Sequence, residues 1–299
     1  MRILLFGRNG QVGWELQRSL APLGQLVALG SGRQDGLCGD FHDAEGIART
    51  VRELRPDAIV NAAAYTAVDK AESEPERAEQ VNAATPGVIA QVAHQIGAWL
   101  VHYSTDYVFD GNGTRPWRED DAAAPLGVYG RTKLAGEQRI VAANPRHLIL
   151  RTSWVYGARG GNFPKTMLRL AREREQLSVI DDQVGAPTGA DLLADVTAHA
   201  LRDLAAGRGQ PGIYHVAAAG ETTWNGYARF VVGKAQQAGE IFKAGPDRIL
   251  PVPSSAFPTP ARRPHNSRLD TSRFRATFRL DLPPWEQGVA RMLEELPQN

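Results

Sequence analysis

The sequence has a single cysteine, Cys38, in 299 residues. No disulfide can close within the chain, which fits a reducing compartment. Charge of one sign is also missing: 34 Lys and Arg face 33 Asp and Glu, a net of +1. Nucleic-acid binders normally carry a basic surplus, so no nucleic-acid partner is expected. Long apolar runs are absent. No uncharged stretch approaches the ~20 residues that cross a bilayer. Arg2 is followed by only the apolar run Ile3 to Phe6 before Gly7, short of the roughly 7–15 residues of a secretory core. A cytoplasmic protein with no membrane partner is the expectation. The seven histidines show no His-Glu-x-x-His or other clustered ligand spacing, which argues against a catalytic metal.

What remains is an ordinary globular mixture, 42% apolar and 22% charged. At roughly 150 residues per domain the length suits two units. The first half alternates apolar runs with helical stretches. Strands are expected over 3–6, 26–29, 58–60 and 99–103, with another starting at 147, and helices over 11–23, 47–54, 75–97 and 128–142. Alternation of this kind predicts a doubly wound parallel α/β sheet, and the unbroken apolar strands predict burial on both faces. Residues 1–150 read as a Rossmann-like domain, with Gly7, Gly10 and Gly13 after its first strand as its NAD(P)-binding turn. Proline and glycine become denser in the second half. Residues 151–299 read mainly as a smaller mixed α/β substrate-binding lobe, with some segments returning to the large domain. A last helix is expected over 285–296.

Gly7, Gly10 and Gly13 follow the first strand and open the first helix. A strand that turns sharply into a helix whose amides face a diphosphate needs such residues, because a side chain would block close backbone approach. A carboxylate for the adenosine ribose is expected roughly 20 residues further on. Gly30 stands there instead, followed by Ser31, Gly32 and Arg33. Without that carboxylate a 2′-phosphate is not repelled, and Arg33 can attract one. NADPH is therefore favoured over NADH, with use of both left open.

Tyr129 and Lys133 are four residues apart, which puts a phenol and an ammonium on one helix face. Reduction of a ketone by hydride leaves an alkoxide that needs a proton. A free tyrosine, with its pKa of about 10, holds that proton tightly, and a lysine ammonium nearby lowers it. A hydroxyl such as Thr105 can donate to the carbonyl oxygen as charge develops. The roles expected are acid for Tyr129, tuner and cofactor anchor for Lys133, and carbonyl polariser for Thr105.

The glycine turn and Tyr-x-x-x-Lys pair resemble the extended short-chain dehydrogenase/reductase superfamily. Within it, GRNGQVG at Gly7, VNAAAYTAVDKAESEPE at Val60, HYSTDYVFDG at His102, VYGRTKLAGE at Val128, RTSWVYG at Arg151, DDQVGAPTGA at Asp181 and PTPARRPHNSRLDTSRF at Pro258 resemble the dTDP-4-dehydrorhamnose reductase family over nearly the whole chain. The resemblance implies reduction of a 4-keto-6-deoxy sugar carried on thymidine diphosphate. The cofactor would contact Gly7, Gly10, Gln11, Val12, Asp40, Phe41, Ala63, Ala64, Tyr65, Tyr103, Tyr129 and Lys133. Substrate would contact Thr105, Asp106 and Trp154, with Trp224 a weaker candidate. Tyr65 stands where close relatives are expected to carry histidine.

A thymidine diphosphate needs cations and a flat surface. Arg262, Arg263 and Arg268 can supply the first, and Trp154 the second. The acidic run Asp69, Glu72, Glu74, Glu76 and Glu79 reads as a solvated helix face. The resemblance also implies a possible homodimer with Mg²⁺ at the subunit contact, its candidate ligands being Glu15, Asp191 and Glu295. The same superfamily contains epimerases and dehydratases that retain NAD, and a regulatory subunit of methionine adenosyltransferase that acts by binding a partner enzyme. Consumption of external NADPH separates a reductase from the enzymes that retain NAD, and a stoichiometric partner enzyme without ketone reduction would mark the regulatory subunit.

Overall fold

A computed structural model describes residues 1–296. Its centre is a six-stranded sheet of β1 (Arg2–Phe6), β2 (Gln25–Leu29), β3 (Ala58–Asn61), β4 (Trp99–Thr105), β5 (His147–Thr152) and β6 (Gly212–His215). The spatial order is β6-β5-β4-β3-β1-β2, and every neighbouring pair is parallel. Strand order reverses between β1 and β3, where doubly wound sheets bind their ligands.

Eight longer helices surround this sheet and the smaller lobe: α1 (Gln11–Leu20), α2 (Ala44–Leu54), α3 (Thr85–Ile96), α4 (Val128–Ala143), α5 (Phe163–Glu173), α6 (Ala190–Ala205), α7 (Trp224–Gln237) and α8 (Trp285–Glu294). Alternation along β1 sorts them. Ile3 and Leu5 pack with Leu16 and Leu20 of α1 and with Leu193 and Leu201 of α6. Leu4 and Phe6 face Ile47 of α2, Ile89 of α3 and Ile140 of α4 on the other side. Both faces are covered, so strands of this sheet tolerate polar side chains only where each finds a partner.

The smaller lobe gathers α5, α7 and α8 around two apolar clusters, one of them beneath the parallel strand pair Leu177–Ile180 and Ile249–Val252. Two segments of the second half join the large unit: β6 pairs with β5, and α6 packs against α1. None of the described helices is long and apolar enough to cross a membrane.

The expected helix over 75–97 is broken. A short helix, Pro75–Glu79, runs into a widened π turn, Gln80–Ala84, before α3 begins. Pro86 lacks the N–H that a regular helix would return to the Asn82 carbonyl, so the turn re-registers. That carbonyl meets Gly136 of α4, where a Cβ would approach it to 2.1 Å. The π turn is thus the surface on which the helix bearing Tyr129 and Lys133 docks.

Candidate active site

The site is a cleft of about 750 Å³ at the switch point. One wall is the glycine turn. Gly7 adopts φ +85°, and a Cβ there would lie 2.6 Å from the Ala63 amide nitrogen. Gly13 seats α1 against this turn, since a Cβ on it would come within 2.1 Å of the Gly7 carbonyl. Gly10 precedes α1 and offers no side-chain cap, leaving the first amides of the helix for an anion. Gly10, Gln11, Val12, Ala63, Ala64 and Tyr65 line the cleft, as do Asp40 and Phe41. Phe41 also packs edge-on against Phe6 in the core. Asp43, rather than Asp40, caps α2 by accepting from the Gly46 amide, so Asp40 keeps a carboxylate oxygen for the cleft after accepting from the His42 amide.

Residues at the far wall come from β4, β5 and α4. Tyr103, Thr105, Asp106, Tyr129, Lys133 and Trp154 all line the same cleft. Glu72 accepts from the Val128 amide at 2.8 Å and so caps the start of α4. Asn82 accepts from the Tyr65 amide and donates to Thr132, tying the loop after β3 to α4. The acidic run is solvated only in part: Glu76 is exposed, whereas Asp69 pairs with Arg263, Glu74 accepts from the Tyr65 phenol, and Glu79 pairs with Arg139. Its charges reach arginines and amides that a reading of local sequence cannot see.

The electrostatics differ from expectation in two respects. Burial raises the Tyr129 pKa, and a hydrogen bond with Thr105 opposes it only in part. Lys133 instead donates to the Tyr103 carbonyl at 2.5 Å and lies 3.2 Å from His102 Nε2. Burial draws Lys133 down to about 8. The Thr105 hydroxyl is directed to Asp106 Oδ1 at 3.0 Å. It must turn from that carboxylate to donate to a substrate oxygen. Asp106 is itself pushed up to about 6, chiefly by burial and against the hydroxyls of Ser267 and Thr105. Ser104, Thr152 and Ser153 also line the cleft, with hydroxyls that are buried and without a protein partner among the described residues. Such orphaned groups fit a polar ligand lying over the strand ends.

Trp154 closes the cleft toward the smaller lobe. Its backbone is left-handed, φ +49°, an uncommon state for a bulky residue. Its ring stacks on Trp224 at 3.7 Å, and a Cβ on Gly185 would press into it at 2.8 Å. Both tryptophans, with Tyr107 and Arg263, line an adjoining cavity of about 350 Å³. Arg262 borders a third hollow beside Arg263, whereas Arg268 is held by Glu221. Arg33 is held by Asp43 at 2.8 Å and is not among the residues lining the cleft.

The metal expectation gains no support. Among the described residues no group of three His, Cys, Asp or Glu side chains is arranged to hold an ion. Glu15 pairs with Arg18, and Asp191 and Glu295 both pair with Arg291. The three carboxylates do lie near one another: burial raises the Glu15 pKa, and Asp191 and Glu295 add to the rise.

Residues 1–298 match the family model described as RmlD substrate binding domain. The chain is 59% identical to the dTDP-4-dehydrorhamnose reductase of Escherichia coli (strain K12) over 296 residues, 99% of this chain and 98% of that one. It belongs to the dTDP-4-dehydrorhamnose reductase family. Among solved structures, the family member from Bacillus anthracis in complex with NADP aligns with a TM-score of 0.88 at 34% identity, over 98% of this chain and 99% of that one. The member from Clostridium acetobutylicum aligns equally well, at 0.88 and 32%, with the same coverage. Thermus thermophilus UDP-glucose 4-epimerase, at 20% identity and a TM-score of 0.78, shares the fold.

Asn61, His102, Asn82 and Glu72 were not among the residues expected in the site. The signal for Asn61 and His102 was present: a polar residue inside an apolar strand buried on both faces requires a partner. Glu72 and Asn82 gave no comparable signal, because their partners lie 56 and 50 residues away.

Proposed function

We propose that this reductase converts the C4 ketone of dTDP-4-dehydro-6-deoxy-L-mannose (dTDP-4-dehydrorhamnose) into the alcohol of dTDP-L-rhamnose, using NADPH or NADH. The observation that carries it is the convergence of Thr105, Tyr129 and Lys133 on the cleft that the glycine turn opens. Bound NAD(P)H supplies the hydride. The first-turn amides of α1 would receive its diphosphate, and Asp40, Phe41, Ala63, Ala64 and Tyr65, which line the cleft, would hold the rest of the dinucleotide. The hydroxyls of Ser104, Thr152 and Ser153 offer donors at the end of the sheet.

As charge builds on the sugar oxygen, Thr105 turns its hydroxyl toward it and Tyr129 transfers the phenolic proton. The Lys133 ammonium then opposes the negative charge left on Tyr129. Asp106 and Trp154 are read as sugar contacts. The cavity between Trp154, Trp224 and Arg263 offers a stacked aromatic wall and a cation, which suit a base and a phosphate. The free, buried Cys38 is consistent with a reducing, cytoplasmic setting.

A panel of 4-keto sugar nucleotides offered with NADPH tests the reading. One sugar should be reduced with stoichiometric loss of NADPH absorbance, whereas recycling without net loss would point to an epimerase or dehydratase. Tyr129→Phe should lower kcat by about 10²–10⁴-fold, the range for a lost positioned proton donor. Near-normal turnover would reject Tyr129 as the acid.

A further inference from the structure

Asn61 and His102 are register partners on adjacent strands, β3 and β4, so their side chains leave the same face of the sheet. Both are buried, at 1% exposure. Their hydrogen bonds can be assigned by asking which atoms can only donate. The Ala63 backbone amide donates to Asn61 Oδ1 at 3.0 Å. A backbone N–H cannot accept, so the Asn61 oxygen must face Ala63 and its NH₂ must face His102 Nδ1, 3.0 Å away. An amide NH₂ also only donates. His102 Nδ1 therefore carries a lone pair, and the proton of the neutral ring sits on Nε2. That N–H points at Lys133 Nζ, 3.2 Å away.

An ammonium has no lone pair with which to accept this bond, but an amine has one. An amine can also keep its donation to the Tyr103 carbonyl. We propose that Asn61 and His102 are positioning residues that set the proton affinity of Lys133: the Ala63 amide orients Asn61, Asn61 selects the His102 tautomer, and the His102 Nε2–H stabilises the lysine as an amine. The row begins at Ala63, in the wall of the cofactor cleft against Gly7, and ends at Lys133.

Other groups facing Lys133 do not reverse this. On its own helix Glu137 lies one turn on, and its carboxylate is engaged by Arg151 from β5. From β4 the Tyr103 carbonyl accepts from Nζ, and Tyr129, one turn earlier on α4, shares the cleft lining with Lys133. Burial and the Lys133 charge hold His102 well below the ordinary histidine range, so the ring stays neutral.

The consequence for turnover rests on the reading of Lys133 given above. After Tyr129 has given its proton to the sugar oxygen, an N–H bond of Lys133 breaks and the phenolic O–H re-forms. The electron pair stays on Nζ, where it accepts a hydrogen bond from the His102 Nε2–H. A buried donor to that pair makes the ammonium a stronger acid and the phenol easier to restore.

Nitrogen NMR of the ligand-free protein at pH 9 reads the tautomer directly. The expected result is a protonated Nε2 and an unprotonated Nδ1 on His102; the reverse overturns the proposal. It needs no variant and no activity. Asn61→Asp should then move the ring proton to Nδ1 and raise the Lys133 titration, followed at its side-chain carbon, by about one pH unit or more, a tenfold rise in proton affinity. In Asn61→Asp combined with His102→Phe that rise should vanish. A rise that persists would come from the added charge alone and would overturn the tautomer mechanism. The alkaline limb of kcat/KM should follow the Lys133 titration in Asn61→Asp. If the titration moves and the limb does not, the tautomer mechanism stands and the catalytic role of Lys133 falls.

Discussion

Two ionisable side chains one turn apart on α4 are both removed from water, Glu137 at 1% exposure and Lys133 at 2%. The fold treats them in opposite ways. Glu137 receives a two-pronged hydrogen bond from Arg151, at 2.9 and 2.6 Å. Lys133 has no carboxylate within ion-pair distance among the described residues, only a carbonyl and an imidazole. The first arrangement satisfies a buried charge. The second leaves one uncompensated, and its pKa falls toward the pH of the cell. Structural charges are matched locally, whereas the lysine facing the cofactor cleft is kept ready to change its protonation state.

Removing one partner from each site should break the comparison in opposite directions. Glu137→Gln leaves the Arg151 guanidinium buried and unpaired, and should cost about 3–5 kcal/mol of unfolding free energy in urea titrations. A loss below about 1 kcal/mol would show that the pair is solvated in solution. Lys133→Met should abolish turnover yet stabilise the protein. A fall of the folded-state pKa from 10.5 to about 8 corresponds to roughly 3 kcal/mol. Both states carry the charge below pH 8, so the gain is greatest there and shrinks as pH rises from 8 to 10.5. A destabilised Lys133→Met at pH 7 would contradict the uncompensated charge.

Asp106 belongs with Lys133, since burial lifts it to about 6 from an ordinary carboxylate value near 3.9. The folded state holds this proton more tightly than the unfolded chain. Stability from it is therefore present at low pH and lost as pH rises through 6. Asp106→Asn should stabilise by about 2–3 kcal/mol at pH 8 and by much less at pH 4. Equal gains at both would show that the carboxyl does not titrate near 6.

The contrast between compensated and uncompensated sites was only partly legible in sequence. The strand and helix alternation of the first half was legible because apolar runs on a doubly covered sheet are unbroken, and the strands lie within a few residues of where those runs put them. Tyr129 and Lys133 were legible because helical spacing is local. Their partners were not. His102 reaches Lys133 across 31 residues and Asn61 reaches His102 across 41, so sheet register, and not spacing along the chain, joins them. The π turn was hidden for a related reason: Pro86 announced a disruption, but its shape depends on Gly136 of a distant helix. The small lobe was least legible, because its short strands pair with segments far away in sequence.

Arg33 supplies the third member of the comparison, a pair that is matched but exposed. Its guanidinium lies 2.8 Å from Asp43, with the arginine side chain 63% exposed. Exposed pairs of this kind contribute little, because water already screens both charges and holding two long side chains together costs entropy. Arg33→Ala should leave the unfolding midpoint unchanged within error. The same geometry bears on coenzyme choice. An arginine engaged by Asp43 and set outside the cleft lining has no built contact to a 2′-phosphate, so the ratio of KM for NADPH to that for NADH should stay within about twofold of wild type, well under the tenfold that a lost charge-assisted contact of ~1.4 kcal/mol would produce. A selective loss of NADPH would show that Arg33 leaves Asp43 when the coenzyme arrives. The exposed pair would then behave as a latch, closer in kind to Lys133 than to Glu137.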